Sequence, residues 1–252
     1  MQPISRVAAV ILAAGLGKRM NSHKLKVMHE LLGQPLIEYV VSSVESARLD
    51  STPVAVVCND DLSVQEYLGS RARYAVQAER LGTGHAVLMA EPLLRGQFDH
   101  IVALYGDMPF VTANSIKQLI KKHLERGNTI TLMTATVPDY LDWRSGLYEY
   151  GRIVRGVDGH INRIVEKKDA TPAELSVREV NPGYYCFQSE WLWENLKTLR
   201  NDNAQHEYYL TALIHRVIEQ GGKLSSIAIP PEEAIGINTQ EQLVAARRLA
   251  GN

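Results

Sequence analysis

The spacing of apolar residues changes period along the chain. VAAVILA (7–13), PVAVVC (53–58) and HIVALYGD (100–107) are short, continuous apolar runs rich in β-branched residues. Runs of this kind, bounded by turn residues, predict strands buried on both faces. Between them the period becomes helical. LIEYVVSSVESAR (36–48), DDLSVQEYLGS (60–70), TGHAVLMAEPLL (83–94) and SIKQLIKKHLER (115–126) each predict a helix. In the last, Ile116, Leu119, Ile120 and Leu124 share one face and lysines occupy the other. Strands alternating with amphipathic helices predict an α/β fold, with a mainly parallel sheet covered on both faces.

After about residue 128 the pattern is richer in strands: TITLMTATV, GRIVR, INRIVE and VREVNPGYYCF. The tail returns to helices, EYYLTALIHRVIEQ (207–220) and QEQLVAARRLA (240–250), around a strand LSSIAIP (224–230). No internal repeat or linker interrupts this, so one compact domain is expected, its second half a strand-rich lobe over the ligand end of the sheet. Its 252 residues leave ample core to bury.

Charge and composition narrow the partners. A net charge of −1 argues against nucleic acid or a membrane surface as the main partner, but leaves room for an anionic small molecule held by local cations. Cys58 and Cys186 form no CxxC pair and read as reduced, partly buried thiols. His206-Glu207 lacks the second histidine of a zinc-binding HExxH, and no zinc site is expected. Arg6 followed by VAAVILAAG has the outline of a signal peptide, yet the run is short, is broken by glycine and meets Lys18-Arg19 directly. It reads better as a first strand. No apolar stretch approaches the ~20 residues of a membrane span, and a cytoplasmic location is expected.

The stretch LAAGLGKRMNSHKLK (12–26) follows the first strand, at the end of the sheet where ligands of such folds bind. A dinucleotide fingerprint fails because Met20 stands where the third glycine belongs, which also removes a dehydrogenase. A Walker A loop fails because Gly17-Lys18 precedes Arg19. What remains is the shared physics: glycines that bring backbone N–H groups close to phosphate oxygens, beside cationic side chains. A glycine-rich turn with solvated cations is the plainer alternative.

LAAGLGKRMNSHKLKVMHELLGQPLI resembles the signature of the sugar-nucleotide pyrophosphorylases, nucleotidyltransferases with a Rossmann-like core. The resemblance extends through QAERLGTGHAV, YGDMPF, YGRIVR, IVEKKDA, NPGYYCF, AQHEYYLTALI and GIN. In that order the motifs are most similar to the uridyltransferase domains that make UDP-N-acetylglucosamine.

The resemblance implies attack of a sugar 1-phosphate oxygen on the α-phosphorus of UTP, with release of pyrophosphate and Mg²⁺ as cofactor. Such a reaction needs positioning and electrostatic stabilisation rather than a protein nucleophile. It implies Asp107, which ends a strand, and Asn238 as metal ligands, and Arg19 and Lys26 beside Asp107 as catalytic groups at the phosphates. Lys18 and Lys24 read as solvated neighbours. Nucleotide contacts are implied at Leu12, Ala13, Gly15, Gly17, Gln77, Gly82, Thr83 and Tyr105, with Gln77 facing the imide edge of uracil. Thr83 could equally be a helix N-cap. Sugar contacts are implied at Gly151, Glu166 and Asn181. Tyr208 and Tyr209 fit either the pocket wall or the core. Two departures stand out: Leu25 replaces the proline usual before the lysine, which loosens the backbone there, and Pro182 replaces a usual threonine.

The expected division is a nucleotide-binding half (about 1–127), a sugar-binding half (about 128–238) and a terminal helix (239–252). The bifunctional relatives continue into hexapeptide repeats that acetylate and trimerise. This chain has none, so neither acetyl transfer nor that trimer is expected, and its oligomeric state is left open. Two alternatives remain: another sugar phosphate or nucleotide as substrate, or a binding module without turnover. Keeping Asp107, Asn238, Lys26 and Arg19 together speaks against the module, since binding alone needs no metal pair.

Overall fold

Ten strands of the computed structural model join one sheet, among the residues it describes (5–20, 22–203 and 205–251). In chain order the strands are β1 (Val7–Leu12), β2 (Glu30–Leu31), β3 (Gln34–Pro35), β4 (Val54–Val57), β5 (Arg73–Val76), β6 (His100–Tyr105), β7 (Ile130–Thr136), β8 (Gly151–Arg155), β9 (Ile161–Val165), β10 (Glu179–Asn181), β11 (Tyr185–Gln188) and β12 (Leu224–Ala228). The sheet order is β5-β4-β1-β6-β11-β7-β10-β8-β9, with β12 also on β7; β2 and β3 form a separate small hairpin. Only β9, β10 and β11 oppose the common direction of the sheet. Parallel character therefore prevails, as the apolar runs predict.

Strand β7 joins the two parts of the sheet. Residues 130–134 pair in parallel with β12, while Ala135 and Thr136 pair antiparallel with β10. The chain thus passes from the main sheet into the strand-rich lobe along a single strand.

Both faces of the sheet are covered because its strands are apolar at successive positions. Ala9 and Ile11 pack with Ile37, Val40 and Val41 of the helix Leu36–Ala47 and with Ile116 and Leu119 of the helix Ala113–Arg126. Ala8 and Val10 point the other way, into a layer with Val87, Leu192, Trp193 and Leu213. Fully burying one such side chain is worth roughly 1.5–3 kcal/mol. A third cluster joins Met20, Leu31 and Leu36 to Ile235, Ile237 and Leu243, so the chain after β1 packs on the C-terminal helix Gln240–Ala250.

Several predicted elements are cut short, each for a visible reason. The helix expected over 83–94 is two, Thr83–Leu88 and Glu91–Leu94, because Pro92 has no N–H to continue the ladder. VREVNPGYYCF breaks into β10 and β11 at Pro182-Gly183. The helix expected over 207–220 begins only at Ala212, since the Tyr208 backbone is engaged elsewhere: its N–H donates to Leu81 O at 2.8 Å and its carbonyl accepts from Gly84 N at 2.7 Å. On the helix Ala113–Arg126, Leu124 is exposed and His123 takes the inward place. Cys58 and Cys186 are free and fully buried rather than partly so, and burial pushes both thiols up. No described helix is long and apolar enough to cross a membrane.

His123 shares a buried polar chain. His100 Nδ1 lies 3.1 Å from His123 Nε2, and His123 Nδ1 lies 3.0 Å from the Thr131 hydroxyl, which also accepts from Asn128 Nδ2 at 2.8 Å. Burial pushes His123 down from the ordinary 6.5 to about 3, helped by the neighbouring His100 ring. The unfolded chain therefore binds a proton below 6.5 that the native state refuses, so stability present above that pH is lost as the pH falls. Between pH 7 and pH 5 this group should remove about 2 kcal/mol of unfolding free energy. Urea titrations of the wild type and a His123→Gln variant should differ by that amount in their pH dependence; identical slopes would show that His123 does not titrate against the fold.

Candidate active site

The carboxyl ends of β1 and β6 are neighbours, with Leu12 in register with Tyr105. The loop after β1 and the turn after β6 therefore leave the sheet side by side. Lys26 and Asp107 meet there: Lys26 Nζ lies 2.5 Å from Asp107 Oδ2. The same ammonium donates to Asn238 Oδ1 at 3.0 Å, and Arg19 Nη2 donates to that oxygen at 3.2 Å. Asn238 is held from behind, its N–H donating to Gln242 Oε1 at 2.7 Å. The preceding residue is tied to the centre as well, Ile237 N donating to Asp107 O at 3.0 Å. Arg19, Lys26, Asp107 and Asn238 are thus brought together from opposite ends of the chain.

Leu25 explains how Lys26 is aimed without a proline before it. Its φ of −54° and ψ of 143° are values that a proline ring would impose. The Leu25 side chain is buried in the core, so packing holds the torsion. Gly17 lets the loop close over this turn. Its φ is +64°, and a Cβ there would lie 2.9 Å from Lys26 Cβ. Lys24 turns away to an exposed pair with Glu30 at 3.0 Å. The Lys18 side chain and Asn252 lie outside the described residues.

Two lobes of a cleft, each of about 650 Å³, share Lys26, Tyr105 and Asp107. Leu12, Gly15, Gln77, Gly82 and Thr83 line the first lobe. Gly151, Glu166, Asn181 and Asn238 line the second. Ala13 and Gly17 line neither; Ala13 is buried, with its N–H on Val56 O at 2.8 Å.

In the first lobe, Gln77 is buried and its Nε2 donates to Gly82 O at 3.1 Å, leaving Oε1 as its acceptor for a ligand N–H. Gly82, not Thr83, is the N-cap of the helix Thr83–Leu88. The Thr83 hydroxyl instead accepts from Leu210 N at 3.0 Å. Tyr208 and Tyr209 fall in the irregular stretch before Ala212, half-buried and outside the core clusters. Sequence reasoning missed Arg80 and Glu207, which also line this lobe. Arg80 Nε donates to Ala14 O at 2.8 Å and its Nη2 to Asp60 Oδ1 at 2.9 Å, bracing the glycine-rich loop.

In the second lobe, burial pushes the Glu166 carboxyl up, against a 2.9 Å hydrogen bond donated by the Thr211 hydroxyl. Asn181 donates from Nδ2 to the Tyr185 hydroxyl at 2.6 Å and accepts from Gly183 N at 3.1 Å. Tyr105 stands between the lobes, its phenol pushed up by burial and by the negative charge of Glu166.

The donor set suits a hard cation. Among the described residues no group of three or more His, Cys, Asp or Glu could hold a metal ion. One carboxylate and one amide oxygen, both already turned toward the Lys26 ammonium, match what Mg²⁺ takes from protein when phosphates and water supply the rest.

A family model described as the MobA-like NTP transferase domain matches residues 9–217. The chain belongs to this family. It is 44% identical over 244 residues to the bifunctional protein GlmU of Acetivibrio thermocellus, covering 96% of this chain and 51% of that protein. Identity to the GlmU proteins of Latilactobacillus sakei and Thermoanaerobacter pseudethanolicus is 40% and 41%, with the same coverage. The chain thus spans about half the length of the curated relatives it matches, in keeping with the uridyltransferase resemblance of its motifs. A Bacillus anthracis crystal structure named for glucose-1-phosphate thymidylyltransferase superposes with a TM-score of 0.76 over 97% of this chain and 95% of that one, at 20% identity. That likeness establishes the fold.

Gly82 offers a test of how the lobe is built. Its φ is +110°, and a Cβ would lie 2.8 Å from both Tyr208 N and Tyr208 O. Gly82→Ala should cost about 2 kcal/mol or more, a fall in Tm of roughly 4–8 °C, and weaken nucleotide binding. Gly96→Ala shares the positive φ with nothing within 4 Å of the new Cβ, so it carries the torsional cost alone and should melt closer to wild type. Equal melting of the two variants would show that the Tyr208 backbone does not confine Gly82.

Proposed function

We propose that this chain is a Mg²⁺-dependent uridyltransferase that joins UTP to N-acetylglucosamine 1-phosphate, giving UDP-N-acetylglucosamine and pyrophosphate. The observation that carries this reading is that two lobes meet at Lys26, Tyr105 and Asp107. A nucleotide in one and a sugar phosphate in the other would bring their phosphates together at that junction. The order of motifs supports uracil and N-acetylglucosamine as the two ends. A cytoplasmic location belongs to the same proposal.

The residues divide the work. Gln77 Oε1 and the backbone at Gly82 and Thr83 read the base, while Arg80 holds the loop that covers it. Glu166 and Asn181 receive sugar hydroxyls and the N-acetyl group. Lys26 and Arg19 grip phosphate oxygens, Arg19 through a planar fork and Lys26 as a compact charge. One oxygen of the sugar 1-phosphate attacks the α-phosphorus, a new P–O bond forms, and the bond to the β-phosphate oxygen breaks. The leaving pyrophosphate takes the electron pair. Mg²⁺, held by Asp107 and Asn238, would supply positive charge against the charge that develops on the phosphates.

An assay of pyrophosphate release tests this directly. UTP with N-acetylglucosamine 1-phosphate should be turned over faster than other nucleoside triphosphates or sugar 1-phosphates. A preference for another pair would move the substrate and spare the chemistry, while no pyrophosphate from any pair would leave a binding module. Asp107→Asn should lower kcat by about 10²–10³, the scale of one preorganised electrostatic group. Asn238→Ala should lose activity in the same way, and the double variant should lose less than the product of the two, since both oxygens hold one ion. Near-full activity of Asp107→Asn at low Mg²⁺ would remove Asp107 from the metal site.

A further inference from the structure

The C-terminal helix Gln240–Ala250 opens on Thr239-Gln240-Glu241-Gln242, the spacing of a capping box. In such a box the first side chain accepts from the N–H three residues on, and the fourth reaches back to the N–H of the first. The helix Pro172–Leu175 closes one completely. There Thr171 Oγ1 accepts from Glu174 N at 3.3 Å, and Glu174 Oε2 accepts from Thr171 N at 2.8 Å. At the C-terminal helix the first bond is made in the same way, Thr239 Oγ1 accepting from Gln242 N at 3.2 Å. The second is not. The Gln242 amide reaches one residue further back and accepts from the N–H of Asn238 at 2.7 Å.

That one-residue step carries the bond from the helix into the candidate site. Asn238 Oδ1 faces the Lys26 ammonium at 3.0 Å and Arg19 Nη2 at 3.2 Å, and Ile237 N is tied to Asp107 O at 3.0 Å. A backbone N–H can only donate, so the Gln242 amide turns its oxygen to Asn238. Its Nε2 then lies against Gly146, within the helical turn Asp142–Glu149. A Cβ at Gly146 would stand 2.8 Å from that nitrogen, so the amide takes this place only because residue 146 has no side chain.

We propose that Gln242 is a positioning residue for the phosphate junction: by holding the Asn238 N–H it fixes the Asn238 amide oxygen beside Asp107, where the two oxygens share one cation. The inference rests on the reading of Asp107 and Asn238 as the metal ligands. An ordinary helix cap would contribute stability alone. A partner that orients a metal ligand also sets affinity for the ion, typically by about 10–100-fold.

The test is Mn²⁺ binding to the intact chain, read by electron paramagnetic resonance with UDP-N-acetylglucosamine present and no turnover. Gln242→Leu removes the acceptor at similar size and should weaken Mn²⁺ binding about 10-fold. Gln242→Glu keeps an oxygen for the Asn238 N–H and should restore binding to within about threefold of wild type. Thr239→Ala removes the ordinary cap and leaves the Asn238 bond, so it should lower Tm while Mn²⁺ binding stays within about threefold. Should Gln242→Leu fail to fold, Gly146→Ala decides. The φ of Gly146 is not positive, so alanine fits its backbone, and the added methyl displaces the Gln242 amide. It should weaken Mn²⁺ binding about 3–10-fold. Unchanged binding in Gln242→Leu and Gly146→Ala, or equal losses in Gln242→Leu and Thr239→Ala, would overturn the positioning role and leave the metal assignment intact. Wild-type Mn²⁺ affinity in both Asp107→Asn and Asn238→Ala would overturn that assignment and the positioning role with it.

Discussion

The ammonium of Lys26, held between the Asp107 carboxylate and the Asn238 amide oxygen, is the interaction on which the site depends. It ties residues 212 positions apart in the chain. That closure needs support on both sides. On one, Leu25 packs in the core and fixes the torsion before Lys26. On the other, Met20, Leu31, Ile237 and Leu243 form an apolar cluster, and Gln240 Nε2 reaches Met20 O at 3.0 Å. The C-terminal helix is therefore part of the site, because it sets where Asn238 stands.

Charge explains why the two lobes meet there. A reaction between two polyanions must first overcome their repulsion, and a site without a protein nucleophile works by holding charge in fixed places. Lys26 and Arg19 bring cations to the junction, while Asp107 and Asn238 offer hard oxygens of the kind that bind Mg²⁺. The cations that would touch the ligand sit on short helical turns after β1, Lys18–Met20 and Lys26–Met28, beyond the carboxyl end of the strand.

The middle of the sheet was legible because β1, β4, β6 and β7 are mostly apolar and read directly as β-branched runs. What the local pattern hid was contact at a distance. The edge strand β5 was not predicted: it pairs only with β4, and half-exposed Arg73 and Tyr74 break its apolar run. The helix Ser189–Leu196 was missed because SEWLWENL is short, although Leu192 and Trp193 are fully buried. The stretch at Tyr208 has helical spacing, yet its backbone is drawn to Leu81 and Gly84, more than a hundred residues earlier in the chain. The motifs named candidate site residues, and the structure brings Arg19, Lys26, Asp107 and Asn238 together, but the contacts that brace such residues were not legible. Arg80 lies inside QAERLGTGHAV, and only its partners show what it braces.

The account's central claim is that nucleotide and sugar occupy separate lobes and share one phosphate junction. A crystal structure with UDP-N-acetylglucosamine and Mg²⁺ tests it most directly. The account places uracil beside Gln77 and Gly82, the sugar beside Glu166 and Asn181, and the diphosphate between them at Lys26. It has Asp107 and Asn238 hold the ion through their oxygens. A diphosphate bound away from Lys26, or an ion held by neither Asp107 nor Asn238, would contradict it.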